Sequence, residues 1–123
     1  MRKIVAVNLG STSTKIAYYE DDACVLKESI SHTAADLGGF ADVFDQTELR
    51  TRTVLEFLKH HGVRVEDLDA LVSRGPQTEP VESGVYRITP AMLDQARSGA
   101  YGNHVCSVGC QIAYVLEQCR SSW

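Results

Sequence analysis

Apolar and polar positions fall into blocks along the first thirty residues, and the blocks predict three extended segments. Ile4-Val5-Ala6-Val7 is a short apolar run, Ile16-Ala17-Tyr18-Tyr19 is rich in β-branched and aromatic residues, and Cys24-Val25-Leu26-Lys27-Glu28-Ser29-Ile30 follows the turn signal Asp21-Asp22. Their close succession implies three consecutive antiparallel strands. Leu37-Gly38-Gly39-Phe40 reads as a loop, and Asp45-Gln46-Thr47-Glu48 has the form of a capping box with Asp45 as N-cap and Glu48 at the third helical position. A helix is expected from there to about His61, with Leu49, Val54, Phe57 and Leu58 at helical spacing. Lys59, His60 and His61 fall where the helix dipole favours cations, and Gly62 can close the helix.

Further along, Leu68-Asp69-Ala70-Leu71-Val72-Ser73 predicts a fourth strand, parallel to a neighbour because a helix precedes it, and ending at Arg74-Gly75-Pro76. A polar loop with Pro76, Pro80 and Gly84 follows, then Val85-Tyr86-Arg87-Ile88 as a short extended piece. Thr89-Pro90 starts a helix, as cap and first helical residue, and Arg97-Ser98-Gly99 ends it. A last helix is expected from Asn103 or His104 to Gln118, with Val105, Val108, Ile112, Val115 and Leu116 forming one stripe.

Between the first two strands lies Asn8-Leu9-Gly10-Ser11-Thr12-Ser13-Thr14-Lys15, in which four hydroxyls, one glycine and one lysine are packed into a strand-to-strand turn. Such a turn offers backbone N–H groups and hydroxyls to an anion, and Lys15 on the following strand adds a full charge. A P-loop is excluded, because no second glycine precedes a Lys-Ser/Thr pair and a strand, not a helix, follows Lys15. From composition alone, an ordinary Ser/Thr-rich hairpin explains the octet equally well.

Length and charge narrow the classes. With 123 residues one domain is expected, and a net charge of −4 from 12 basic and 16 acidic residues gives no electrostatic reason to expect nucleic acid or an anionic membrane as partner. No apolar run approaches the roughly 20 residues of a membrane span, and no signal-peptide pattern opens the chain, so a cytoplasmic protein is the expectation. Cys24, Cys106, Cys110 and Cys119 are spread too unevenly for a disulfide framework and are expected as reduced thiols. His104, Cys106 and Cys110 lack a Cys-x-x-Cys pair and fall on an apolar-faced helix, so buried small residues are preferred there and no metal site is assigned.

With the segments in place, the chain resembles the N-terminal part of the butyrate kinases, in the acetate and propionate kinase group of the actin, sugar kinase and Hsp70 superfamily. The likeness runs to about Glu117. It is carried by Val7-Asn8-Leu9-Gly10-Ser11-Thr12-Ser13-Thr14-Lys15-Ile16, Ser29-Ile30-Ser31-His32, Asp45-Gln46, Arg74-Gly75, Gly84-Val85-Tyr86-Arg87-Ile88, Arg97-Ser98-Gly99, and Gly102-Asn103-His104 with Gly109. The resemblance implies an α/β fold, half of an actin-like (ribonuclease H-like) ATPase: a mixed sheet with three antiparallel N-terminal strands, a parallel strand and flanking helices. It also implies a phosphotransferase with ATP and Mg²⁺ as cofactors, acting reversibly on a short-chain carboxylate such as butyrate or a branched analogue to give acyl phosphate and ADP. Residues 1–123 would be a single N-terminal domain, with the C-terminal nucleotide-binding domain absent and the fragment inactive alone.

By motif matching, Asn8 sits beside the transferring phosphate, Gly10 lets backbone approach it, and Ser11, Thr12 and Ser13 offer hydrogen bonds. Lys15 supplies charge near the phosphate, Arg74 forks onto the carboxylate or transferring group, and His104 donates to developing charge. Read without the resemblance, Arg74 pairs with a surface carboxylate and His104 makes a backbone hydrogen bond at a helix start. Pro76 stands where these enzymes commonly carry a second glycine, and Val105-Cys106-Ser107 replaces the usual Ala-Ser-Asn. Two other functions compete: an actin-like assembly module that pairs with a second copy or another protein, and a phosphate or nucleotide sensor using the first turn alone.

Overall fold

A computed structural model describes residues 1–39, 42–75, 82, 84–102 and 104–121, the side chains of 119–121 excepted. Phe40, Pro76, Pro80 and Asn103 lie outside the described residues, as does the Cys119 side chain. The chain is α/β. Strands β1 (Lys3–Leu9), β2 (Ser13–Glu20), β3 (Ala23–Ser31) and β4 (Ala70–Ser73) form one sheet in the order β3-β2-β1-β4. The β1–β2 and β2–β3 pairs are antiparallel and β1–β4 is parallel, as the short turns between the first three strands and the helix before the fourth predict. Asp21, in the left-handed region at φ 54°, makes the tight turn between β2 and β3 and accepts the Arg2 amide on its side chain.

Strand alternation sorts the sheet into two faces. Val5, Val7 and Leu9 of β1 and Thr14, Ile16 and Tyr18 of β2 are buried on one face, where they meet helices α2 (Thr47–His60) and α4 (Cys106–Ser121). Val54, Phe57 and Leu58 of α2 and Val108, Ile112 and Leu116 of α4 complete the core, closed at one end by Val65 and Leu68. Helix α3 (Pro90–Ser98) packs on α4, with Leu93 and Ala96 buried. The opposite sheet face carries Ile4, Ala6, Asn8, Lys15, Ala17, Tyr19, Ala70 and Val72, none of them fully buried.

Helix ends follow side-chain chemistry, with some corrections to the sequence reading. The Thr89 hydroxyl accepts the Met92 amide ahead of Pro90, and Gly99 at φ 74° terminates α3, as expected. The capping box lies one turn earlier than Asp45–Glu48: Asp42 caps a 3-10 turn (Val43–Gln46) that leads into α2, and Asp45 is its third residue, while Gln46 at the α2 start makes no capping bond. A short helix α1 (Ala34–Leu37), boxed by Thr33 and Asp36, occupies part of the segment expected as loop. Val85–Ile88 forms no strand, and Val85 is fully solvent-exposed: among the described residues no strand pairs with that segment.

Candidate functional site

The octet is divided between three elements. Asn8 and Leu9 end β1, Gly10, Ser11 and Thr12 form the turn, and Ser13, Thr14 and Lys15 open β2. In the β1–β2 register Asn8 is the direct partner of Lys15, so the two exposed side chains stand on the same open face beside the turn. A Cβ on Gly10 would lie 2.8 Å from the Ser13 hydroxyl oxygen, so the glycine first makes room for the turn's own closure, in which the Gly10 amide donates to the Ser13 carbonyl at 2.9 Å. Of the four hydroxyls, Thr14 faces inward: it is fully buried, while Ser11 and Thr12 are exposed.

The residue that hydropathy hides is Arg50. Its side chain is fully buried on α2, and its guanidinium lies beneath the turn. Nη1 donates to the Ser13 carbonyl at 2.7 Å and to Thr14 Oγ1 at 3.0 Å, and Nη2 to the Gly10 and Ser11 carbonyls at 3.1 and 3.2 Å. Nε and Nη2 also donate to Gln46 Oε1, one helical turn back. The Thr12 carbonyl is taken by the His32 amide at 2.8 Å. The turn's carbonyls therefore point into the protein, whereas among the described residues the amides of Ser11 and Thr12 reach no protein acceptor. A signal was present: Arg50 precedes Val54 by four residues and lies on their stripe, whereas Leu49 is about 140° from Val54 around the helix and is only half-buried.

His32 closes this network, with Nε2 2.8 Å from Thr14 Oγ1. Because Arg50 already donates to that oxygen, the Thr14 hydroxyl proton is free to be donated to a neutral imidazole. Burial, and then the Arg50 charge, hold His32 below its ordinary value against an opposing pull from Asp36. The unfolded chain thus binds more protons at this group, so its contribution to stability is fully present above the ordinary histidine value of 6.5 and is lost as pH falls from there through the folded value. Urea midpoints measured from about pH 7.5 down to about pH 5.5 should fall less steeply in His32→Gln than in the wild type; equal slopes would exclude this role.

Arg74 follows β4, and the pairing of Val7 with Ser73 sets it at the end of the sheet where Asn8 and the turn lie. Its side chain is exposed, and among the described residues no carboxylate pairs with it. The backbone there is fastened to α4: the Cys110 thiol donates to the Arg74 carbonyl at 2.7 Å and the Cys106 thiol to the Gly75 carbonyl at 3.4 Å. Both thiols are buried as expected, and burial pushes the Cys110 pKa up to about 11, so it stays protonated as a donor; Cys24, by contrast, is exposed.

His104 precedes α4 and accepts the Cys106 amide on Nδ1 at 3.1 Å, so the backbone role read without the resemblance holds. Acceptance at Nδ1 also places the neutral ring's proton on exposed Nε2, leaving a donor there. One sheet end thus gathers Asn8, Gly10–Ser13, Lys15 and Arg74, with His104 joined to it through Cys106. Two cavities among the described residues, of about 330 and 380 Å³, lie elsewhere, around Lys3, Tyr18 and His61 and along Leu55, Leu58 and Val65. No protein-family model matches the chain.

Proposed function

We propose that this chain forms the phosphate-binding side of an actin-like, butyrate kinase-like phosphotransferase that converts a short-chain carboxylate to its acyl phosphate. The observation that carries the reading is the turn itself: two amides that reach no protein acceptor among the described residues face outward, flanked on one sheet face by the cross-strand pair Asn8 and Lys15. In α/β sheets ligands gather at the carboxyl ends of parallel strands, and the ends of β1 and β4 bring the turn and Arg74 to that position.

The reaction joins two anions. A carboxylate oxygen forms a bond to the γ-phosphorus as the bond to the ADP oxygen breaks, so the site must offset their repulsion and stabilise charge on the equatorial oxygens. MgATP supplies the phosphoryl group and part of that neutralisation; no residue is assigned to the metal. The Ser11 and Thr12 amides and hydroxyls hold phosphate oxygens, Lys15 adds a charge from β2, and Asn8 donates beside them. Arg74 holds the carboxylate with its guanidinium fork, and His104 Nε2–H donates to charge developing on the transferring group.

Acyl hydroxamate formation from butyrate or isobutyrate with MgATP, by the enzyme containing this chain, tests the reading. Lys15→Ala and Arg74→Ala are each expected to lower turnover about a hundredfold or more; full turnover in both variants would overturn it. The sheet face that no described helix covers, with Val72 exposed beside Ala6, favours assembly as the second reading. Light scattering that finds a monomer at every concentration would remove that reading.

A further inference from the structure

We infer that Arg50 is the positioning residue of this turn: its buried guanidinium draws the carbonyls inward so that the amides face phosphate, and places a cation directly behind them. The inference rests on the phosphate-transfer reading above. A buried cation normally sits against a carboxylate, because leaving water without a counter-charge is costly. Arg50 is fully buried, yet among the described residues no carboxylate lies within ion-pair distance of it. Its hydrogen-bond partners are the neutral oxygens of Gly10, Ser11, Ser13, Thr14 and Gln46, four of the five in the turn and the start of β2.

The geometry gives that positive charge a direction. Three peptide carbonyls point their negative ends at the guanidinium, so the amides joined to the Gly10 and Ser11 carbonyls, those of Ser11 and Thr12, point the other way. An anion on the outer side of the turn would meet outward N–H dipoles first and the Arg50 charge behind them. The missing counter-ion of Arg50 is then the bound phosphate, received through the peptide groups without direct contact. Gln46 orients the fork from behind through Nε and Nη2, and has no charge to compete with that anion.

The test combines amide exchange with binding of MgATP and of inorganic phosphate, on the enzyme containing this chain, for wild type, Arg50→Met and Arg50→Lys. In Arg50→Met, protection of the Gly10 and His32 amides is expected to fall about tenfold or more while that of Val54 holds, and the Kd for MgATP is expected to rise about tenfold or more. Arg50→Lys, which keeps the charge and loses the fork, should recover part of the affinity. Looser turn amides with unchanged affinity would make Arg50 a structural fastener only and overturn the inference. If Arg50→Met does not fold, Gln46→Met takes its place, with a Kd expected to rise about threefold; an unchanged Kd there overturns the inference equally. A wild type that binds neither MgATP nor phosphate sinks the phosphate-transfer reading, an outcome distinct from binding that ignores Arg50.

Discussion

Ile112→Ala is expected to lower the unfolding free energy by about 3–4 kcal/mol, measured by urea denaturation with an unchanged m-value. Ile112 is fully buried at the centre of α4, within a cluster built from β1, β2, α2 and α4. Removing three of its carbons costs their transfer from water and leaves a cavity that strands on one side and helix on the other cannot both close. Alanine's better helix propensity returns only a few tenths of a kcal/mol. Against a total of roughly 5–15 kcal/mol, the loss would leave a visibly marginal protein. Val115→Ala, at a half-buried flank of the same helix, should cost much less. Equal costs at the two positions would mean that α4 does not meet the sheet through Ile112.

Gly109→Val is expected to cost about 3 kcal/mol and to disturb the end of β4 as well. A Cβ at residue 109 would stand 2.5 Å from the Ser73 hydroxyl oxygen and 3.5 Å from Leu9 Cγ, so α4 rests on the sheet through bare backbone. Turning the Ser73 hydroxyl aside still leaves Leu9 Cγ and, at 3.7 Å, Ser73 Cβ against residue 109. Valine adds two further methyls to the contact and a stiff χ1. For Gly109→Ala two effects oppose each other: propensity favours alanine by about 1 kcal/mol, while crowding disfavours it by about 1–3 kcal/mol. The net change should be destabilising alone and vanish or reverse in combination with Ser73→Ala, which removes the nearest atom. A Gly109→Ala single variant that gains stability would show that crowding is not the governing term. Because the Arg74 and Gly75 carbonyls take the thiols of Cys110 and Cys106, displacing α4 should also move Arg74 relative to the turn.

Strand alternation in β1 and β2 can be read from hydropathy, because each buries one face only, and the parallel placement of β4 from the helix that precedes it. Thr89-Pro90 and Gly99 bound α3 through chemistry local enough to be written in a few residues. What escapes such a reading is long-range and polar. Arg50 looks like one more surface charge on α2 until the turn, 36 to 40 residues earlier, supplies oxygens for its donors. Thr14 likewise cannot be sorted from Ser11 and Thr12 by composition, since only the strand register turns its hydroxyl inward. Asp42 and Asp45 satisfy the same capping rule as Asp45 and Glu48, and a 3-10 turn decides between them. Asn8, Lys15 and Arg74 can be nominated by residue type, but their meeting at one sheet end depends on which strands pair.

Among the described residues, strand β3 leaves one long margin of the sheet without a partner, and its charges bear on how copies of this protein behave in concentrated solution. Two such strands could join antiparallel into one continuous sheet with both helix-covered faces on the same side. In that arrangement residues i and j meet only when their numbers sum to an even value, because the pleat alternates. Full overlap of Ala23–Ser31 then places Lys27 opposite Lys27, and a one-residue shift of the centre places Glu28 opposite Glu28, each a repulsive pair. The shift the other way, centred on Leu26, meets the irregularity at Val25, which has no partner in the β2–β3 register, so the same two neighbouring residues oppose edge-to-edge growth in the two registers centred clear of it. Neutralising both in Lys27→Thr/Glu28→Thr would remove that barrier and should bring on fibrous or soluble aggregates at concentrations where the parent chain stays dispersed.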